Sequence, residues 1–409
     1  MQKTTQTQHH HTRRHDLDWL RVLAILLLVY FHTMMFYNTY GFHLKNAETT
    51  SALNIITTFL HQWRMPLLLV ISGVGSGYAF KKRSTLQFTR ERSQRLLIPL
   101  IFSMLVIVPP QIYLEKIQDY RSYFEFYPSI FEFKPYPEGN FSWHHMWFVM
   151  YLFLYSLICI PLVKLLRSEN ARSFKCMIDK VVSYDWGFML YLIPILVSQI
   201  LLRPYFPDET HALIDDWAYF TESLFFFAAG IIIAQNDTVW KHLIDRRQFH
   251  LVLALISLIL MVVLMSIDWS SFQAYLRIDL VHIWHVNELI VAWTWVLTIL
   301  GYGCRYLNRP SRLITLANEG IYPFYILHQT VLILLAYPLV HVDLNICIEY
   351  TLLSNLTVII SAAIYVLLIR PFAITRVVFG MKARQSKPSL LTDNEVRVIS
   401  MNKHERNVS

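Results

Sequence analysis

Apolar residues run along this chain in blocks of about twenty, separated by shorter polar stretches. A helix rising 1.5 Å per residue needs roughly 20 such residues to cross about 30 Å of hydrocarbon. Ten blocks fit: 17–37, 52–78, 96–113, 145–165, 186–203, 217–234, 249–267, 282–304, 319–340 and 350–370. The second is long; the fifth and sixth are short. In lipid such a run satisfies its backbone groups only by coiling. The pattern predicts an all-α polytopic membrane protein with about ten transmembrane helices. Residues 1–16 read as a disordered polar tail, 17–375 as the membrane domain, and 376–409 as a polar, basic tail. No A-x-A-like cleavage site follows the first block, so it reads as a retained helix. The longest predicted outer loop, 113–144, has room for short helices and carries Tyr120, Tyr123, Phe124, Phe126 and Tyr127.

Composition supports the pattern. Of 409 residues, 55% are hydrophobic and 16% charged, against about 25% charged in a soluble domain. Mean hydropathy is +0.38. The net charge of +8 would suit nucleic acid if it formed one soluble patch, but it alternates instead. The two termini and the even-numbered loops hold 28 of the 36 Lys and Arg residues. The odd-numbered loops hold 6, and Arg21 and Arg64 lie inside blocks. By the positive-inside rule, both termini are cytoplasmic and the protein is multi-pass in the cell (inner) membrane. The charge is then orientation charge, and no nucleic-acid partner is expected. Cys159, Cys176, Cys304 and Cys347 share no close spacing, so neither a disulfide framework nor a zinc site is implied.

Ionisable side chains at membrane depth are costly, so each is a functional candidate. The first block reads DWLRVLAILLLVYFH from Asp18 to His32. Eleven helical steps return His32 to within about 20° of Arg21, about 16 Å further along the axis. Asp18 lies on nearly the same face. Alone, Arg21 is equally a residue snorkelling to lipid phosphates; with His32 it makes a polar stripe. His61 and Arg64 share a face of the second block, where Arg64 must find a partner, and Glu222 and Glu288 are the intramembrane acids available. SGVGSGY, residues 72–78, precedes Lys81, Lys82 and Arg83; it fits either an anion cradle or close helix packing. Arg92 and Arg95 share a face before the third block. His144, His145 and Trp147 open the fourth; Trp143 and Trp147 also suit an interfacial belt. The eighth concentrates His282, His285, Asn287 and Glu288, and the ninth carries Tyr325 and His328. His61, His285 and His328 lack HxxxH or HExxH spacing, and no metal is expected. The histidine run at residues 9–11 reads as part of a tail.

These pieces together resemble the acyltransferase 3 family of membrane acyltransferases. The resemblance is carried by Arg21-x10-His32, RMPLLLVISG from Arg64, Arg92-x2-Arg95, HHMWFVMYL from His144 and YPFYILHQ to Gln329. It covers roughly residues 15 to 375. The fourth-block motif departs from the family in having two histidines and a methionine before Trp147. The resemblance implies acyl transfer from cytoplasmic acyl-CoA, acetyl-CoA or succinyl-CoA, to a hydroxyl of an extracytoplasmic saccharide or glucan, with no permanently bound cofactor. His32 is then the general base, with Arg64 or His61 as oxyanion donors and Glu288 or Glu222 orienting a ring nitrogen or binding the sugar. Arg21, Lys81, Lys82, Arg83, Arg92 and Arg95 hold the donor. His144, His145, Trp147, Glu222 and His328 meet the acceptor. An acyl-histidine intermediate is a variant of the same scheme. A proton-coupled transporter or exporter would use the same His, Arg and Glu residues; the lack of a visible repeat of broken helices weighs against it.

Overall fold

The structure, a computed structural model, describes residues 13–81, 83–267, 281–342 and 344–382, without the side chains of Asn170, Val281 and His282. Lys82, the histidine run at 9–11 and most of both predicted tails lie outside the described residues. Among the described residues there is no strand, only an isolated bridge between Pro135 and Phe141.

Among the described residues, eight helices are long and apolar enough to cross a membrane: His15–Tyr37, Ser51–Phe80, Thr85–Glu115, Trp217–Ala234, Arg247–Ser266, Ile283–Tyr306, Arg312–Leu339 and Ile346–Ile369. A ninth span, the fourth in chain order, is a pair, His144–Ile158 and Ile160–Arg167, bent by 42°. The bend falls at Cys159, just before Pro161, whose ring denies the helix a backbone donor. The shorter apolar helix Gly187–Leu202 occupies the fifth place. The chain is an all-α, multi-pass membrane protein.

The largest difference from the hydropathy pattern is in the third span. Its helix starts at Thr85, eleven residues before the apolar block, because Ser84 caps it by accepting from Gln87 N at 3.2 Å. Arg92 and Arg95 therefore sit in a continuous helix rather than a loop. Two π-turns, Ser93–Leu97 and Ser103–Ile107, widen it. At the chain's start, Arg14 pairs with buried Asp16 at 2.6 Å, and Cys304 Sγ donates to the same carboxylate at 3.1 Å. The outer loop does carry short helices, among them Tyr123–Phe126 and Tyr127–Glu132.

The second and ninth spans are the most buried of the long helices, whereas the seventh and tenth expose most of their apolar surface, as lipid-facing helices do. The second packs most extensively against the sixth, and the first against the ninth. Small residues make the first of these contacts possible. A Cβ on Gly73 would lie 2.0 Å from the Phe227 carbonyl oxygen, and one on Gly230 would lie 2.1 Å from that of Val70. Gly77 meets Ala234 in the same way, so a small-xxx-small pair on each helix interlocks. Gly230→Ala should therefore lower stability by about 1–3 kcal/mol, because backbone atoms must part. Gly75→Ala, whose Cβ would have only Arg21 Nη2 at 4.0 Å, should melt at or above the wild-type temperature. Thermal unfolding of both variants in detergent checks the contrast.

Candidate functional site

A cavity of about 390 Å³ opens among the first, second, third, fourth and ninth spans, at the end where the first span begins. Arg21, Arg83, Arg92 and Arg95 line it, with Gly75 between them; Phe148 and Tyr325 lie on its deeper wall. Arg21 Nη1 donates to Asn318 Oδ1 at 3.3 Å, and Asn318 Nδ2 donates to Asp18 Oδ1 at 3.0 Å. Arg92 Nη2 donates to Ser76 Oγ at 2.9 Å. Arg83 pairs with Glu91 at 2.7 Å, which offsets part of its charge. The stretch SGVGSGY thus does two jobs: Gly73 and Gly77 pack on the sixth span while Gly75 faces the cavity. Lys81 does not line the cavity. Its ammonium reaches the Ala234 carbonyl at 3.4 Å, at the negative end of the sixth helix, and lies over the Tyr78 ring.

Beyond the deep wall stand three histidines. The ring centroids of His32 and His328 are 5.4 Å apart, and those of His145 and His328 5.5 Å. His328 is fully buried, and its Nδ1–H donates to the Tyr325 carbonyl at 2.5 Å. This bond places the lone pair on Nε2, which is buried without a hydrogen-bond partner. His32 Nδ1 is likewise buried and unpartnered. His145 is held on both sides: Nε2–H donates to the Ile326 carbonyl at 3.0 Å, and Nδ1 accepts from Gln111 Nε2 at 3.4 Å. Gln111 also donates to Thr330 Oγ1 at 2.6 Å and accepts from Gln329 at 3.3 Å. The Tyr325 hydroxyl donates to the His145 carbonyl. Tyr325 therefore joins the cavity wall to two of the histidines. Free lone pairs on buried imidazoles can take a proton from a hydroxyl; fully bonded ones cannot. This distinguishes His32 and His328 from His145.

Arg64 is 3% exposed. Its guanidinium lies 3.5 Å over the ring of Phe31, the neighbour of His32, and its Nε and Nη1 have no hydrogen-bond partner. Among the described residues, no carboxylate pairs with it. Glu222 faces Arg203 at 3.7 Å, and Glu288 accepts from Gln62 at 2.9 Å and from His285 at 3.0 Å. The two acids thus leave Arg64 unpaired, and the ring nitrogen that Glu288 orients belongs to His285. His61 is drawn to the loop between the fifth and sixth spans, where it meets Glu209 at 3.4 Å with nearly half its side chain exposed. Glu209, in that loop, is held down at about 2, burial being outweighed by the hydrogen bond and charge of His61 and the charge of Arg203. These groups form an outer polar patch beside the second, fifth, sixth and eighth spans.

The paired histidines of the fourth span part company. His145 turns into the bundle, while His144 joins His43 and Glu115, two residues to which nothing in the sequence drew attention. Trp147 lies against His211, in the loop between the fifth and sixth spans, with ring centroids 4.1 Å apart. Gln111 and Thr330 also escape a search for ionisable groups. The signal that could have found them is polarity within apolar blocks: Gln111 is 0% exposed in the middle of lipid-compatible sequence.

A family model described as Acyltransferase domain matches residues 14–369. The chain is similar to glucans biosynthesis protein C of Escherichia coli (strain K12), with 26% identity over 166 residues, 40% of this chain and 42% of that protein. The protein of the same name in Escherichia coli O157:H7 (strain EC4115 / EHEC) matches to the same extent. The chain thus spans about two-fifths of the length of the curated relatives it matches. No solved structure matches. The family match extends over most of the chain, including both arginine motifs, the three clustered histidines and every membrane span, and on that ground the chain belongs to the acyltransferase 3 family.

Proposed function

We propose that this protein moves an acetyl or succinyl group from cytoplasmic acyl-CoA to a hydroxyl of an extracytoplasmic saccharide or glucan. One observation carries the reading: the arginine-lined cavity ends at Tyr325, whose hydroxyl and carbonyl hold His145 and His328 beside His32. The basic end of the cavity faces the cytoplasm in the orientation that the loop charges favour, at the inner cell membrane. The donor's phosphates meet Arg21, Arg92 and Arg95, with Arg83 at the rim, and its thioester lies near the histidines.

His32 takes the proton of the acceptor hydroxyl as that oxygen attacks the thioester carbon. The unfilled Nε–H and Nη1–H of Arg64 suit the oxyanion that forms. Collapse breaks the carbon–sulfur bond, and protonated His32 returns its proton to the departing thiolate. His328, with its free Nε2, receives a hydrogen bond from the acceptor. His145 positions the group through its bonds to Gln111 and Ile326. The outer patch of Glu222, Glu288, His61 and Arg203 suits sugar hydroxyls. The relatives' name, glucans biosynthesis protein C, agrees with a glucan acceptor.

Membranes holding the full chain, incubated with labelled acetyl-CoA and succinyl-CoA in parallel, test the reading. Label from one donor should reach a saccharide on the far side. Equal labelling by membranes lacking the protein would overturn it.

A further inference from the structure

The end of the bundle away from the arginines carries a second cluster, contributed by three separate segments. His43 follows the first span, Glu115 ends the third and His144 opens the fourth. His43 Nδ1 lies 3.3 Å from Glu115 Oε2, and His144 Nε2 lies 3.7 Å from the same oxygen. One ligand atom from each residue lies within 4.8 Å of the others, and among the described residues this is the one such group of three. We propose that His43, Glu115 and His144 bind a divalent metal ion of the zinc class.

The donor set is right for that ion. Two imidazoles and a carboxylate suit Zn²⁺, which leaves one tetrahedral position for an oxygen ligand. Metal–ligand bonds of about 2.0–2.1 Å at tetrahedral angles put ligand atoms about 3.3 Å apart. The separations to Glu115 Oε2 already lie at or near that spacing. A simple histidine–carboxylate hydrogen bond explains the cluster less well, because His144 Nε2, 3.7 Å from the carboxylate, is buried without a hydrogen-bond partner.

The surroundings hold the ligands as outer groups do in metal sites. His144 Nδ1 and Ser142 Oγ are hydrogen-bonded at 2.8 Å, and with Nδ1–H as the donor the lone pair falls on Nε2, as a metal ligand requires. The Tyr136 hydroxyl donates to the other oxygen of Glu115 at 2.5 Å, leaving Oε2 turned to the two rings. His144 has φ 38°, in the left-handed region that costs a non-glycine residue free energy, and its backbone N–H is tied to Ser142 Oγ at 3.0 Å. Strain at this residue serves to aim its ring. Lys116 is the nearby cation, but its ammonium is held by the carbonyls of Pro137 and Gly139 and by Asn140, at 2.8, 3.0 and 3.1 Å.

The position gives the ion a use. Phe42, adjacent to His43, stacks on His32 with ring centroids 5.8 Å apart. The open coordination position would take water or a hydroxyl oxygen of the acceptor, placing the sugar one aromatic ring from the candidate base. That use rests on the acyltransfer reading; metal binding does not. This ion runs against the sequence-based expectation of no metal, which rested on the lack of a spacing motif at His61, His285 and His328. The ligands proposed here come from three segments and leave no spacing motif.

The full chain, purified in detergent and stripped with EDTA, is titrated with Co²⁺ and with Zn²⁺, followed by the visible bands of Co²⁺ and by metal content after desalting. About one equivalent per chain is expected. His43→Ala and Glu115→Gln should each retain under about a tenth of that, and Tyr136→Phe should bind about 10-fold more weakly. Should Glu115→Gln elute as aggregate, His43→Ala, in a loop, decides the matter. A wild-type chain that holds no more metal than His43→Ala, or a folded Glu115→Gln that binds like wild type, overturns the site. Either result with acyl transfer intact would leave the proposed activity standing.

Discussion

His32→Ala should lower acyl transfer about 10²- to 10⁴-fold, the range that a general base contributes. The loss should fall on kcat with KM for the donor nearly unchanged, because the arginines proposed to hold the donor lie at the other end of the cavity. The protein should accumulate and melt normally: His32 Nδ1 has no partner to lose, and its ring contacts with Phe42 and His328 are individually modest. His32→Gln, similar in size but without a basic nitrogen, should be as inactive. The measurement is initial velocity against acyl-CoA concentration in membranes matched for protein. A variant within about tenfold of wild type would remove His32 as the base, and His328, with its own unfilled Nε2, would take its place in the scheme.

The second large effect concerns the donor. Arg92→Ala with Arg95→Ala should raise KM for acyl-CoA about 100-fold and leave kcat at saturation within a few-fold. A hydrogen bond to a charged group is worth about 1.5–3 kcal/mol, and each 1.4 kcal/mol is tenfold in affinity. Two such contacts, at the low end because the mouth is wet, give about 3 kcal/mol. Arg21 remains, as does Arg83, partly neutralised by Glu91. Raising salt should weaken the wild type's donor affinity more than the double variant's, since fewer charges are left to screen. A double variant with wild-type KM would mean that these arginines only orient the chain in the membrane. The Ser76 bond lost with Arg92 should cost stability about 1 kcal/mol and no more.

Most of the fold could be read from hydropathy because lipid imposes one rule, helical closure of every backbone group. The boundaries that went astray did so for local reasons. The third helix extends through polar residues because a serine cap and a partly covered inner face support it. The fifth is shorter than a full span, as its apolar block suggested. The arginines that line the cavity were legible too: Arg21, Arg92 and Arg95 are charges on helices, and helical phase told which could share a face. The histidine end was legible only in part. His32 and His328 stood out as ionisable groups in apolar runs, but which of their nitrogens is free depends on backbone carbonyls that no sequence pattern displays. The pairings of Glu222 and Glu288 are set by Arg203 and Gln62, which reach them from other spans, and by His285 one turn earlier on the helix of Glu288. His43 and Glu115 escaped altogether, since a cluster drawn from a loop and two helix ends has no period.

The interlocked glycines have a consequence for which acyl groups the protein can use. Gly73 and Gly77 bind the second span to the sixth at backbone distance, and Gly75 lies between them on the cavity wall. A longer acyl chain cannot make room for itself by pushing that helix outward. With Tyr325 tied to His145, the tolerance for chain length must then reside in Phe148, and relatives that carry other acyl groups should differ there and keep the glycines. Donor range is then open to redesign one rotamer at a time, with the scaffold as a fixed jig.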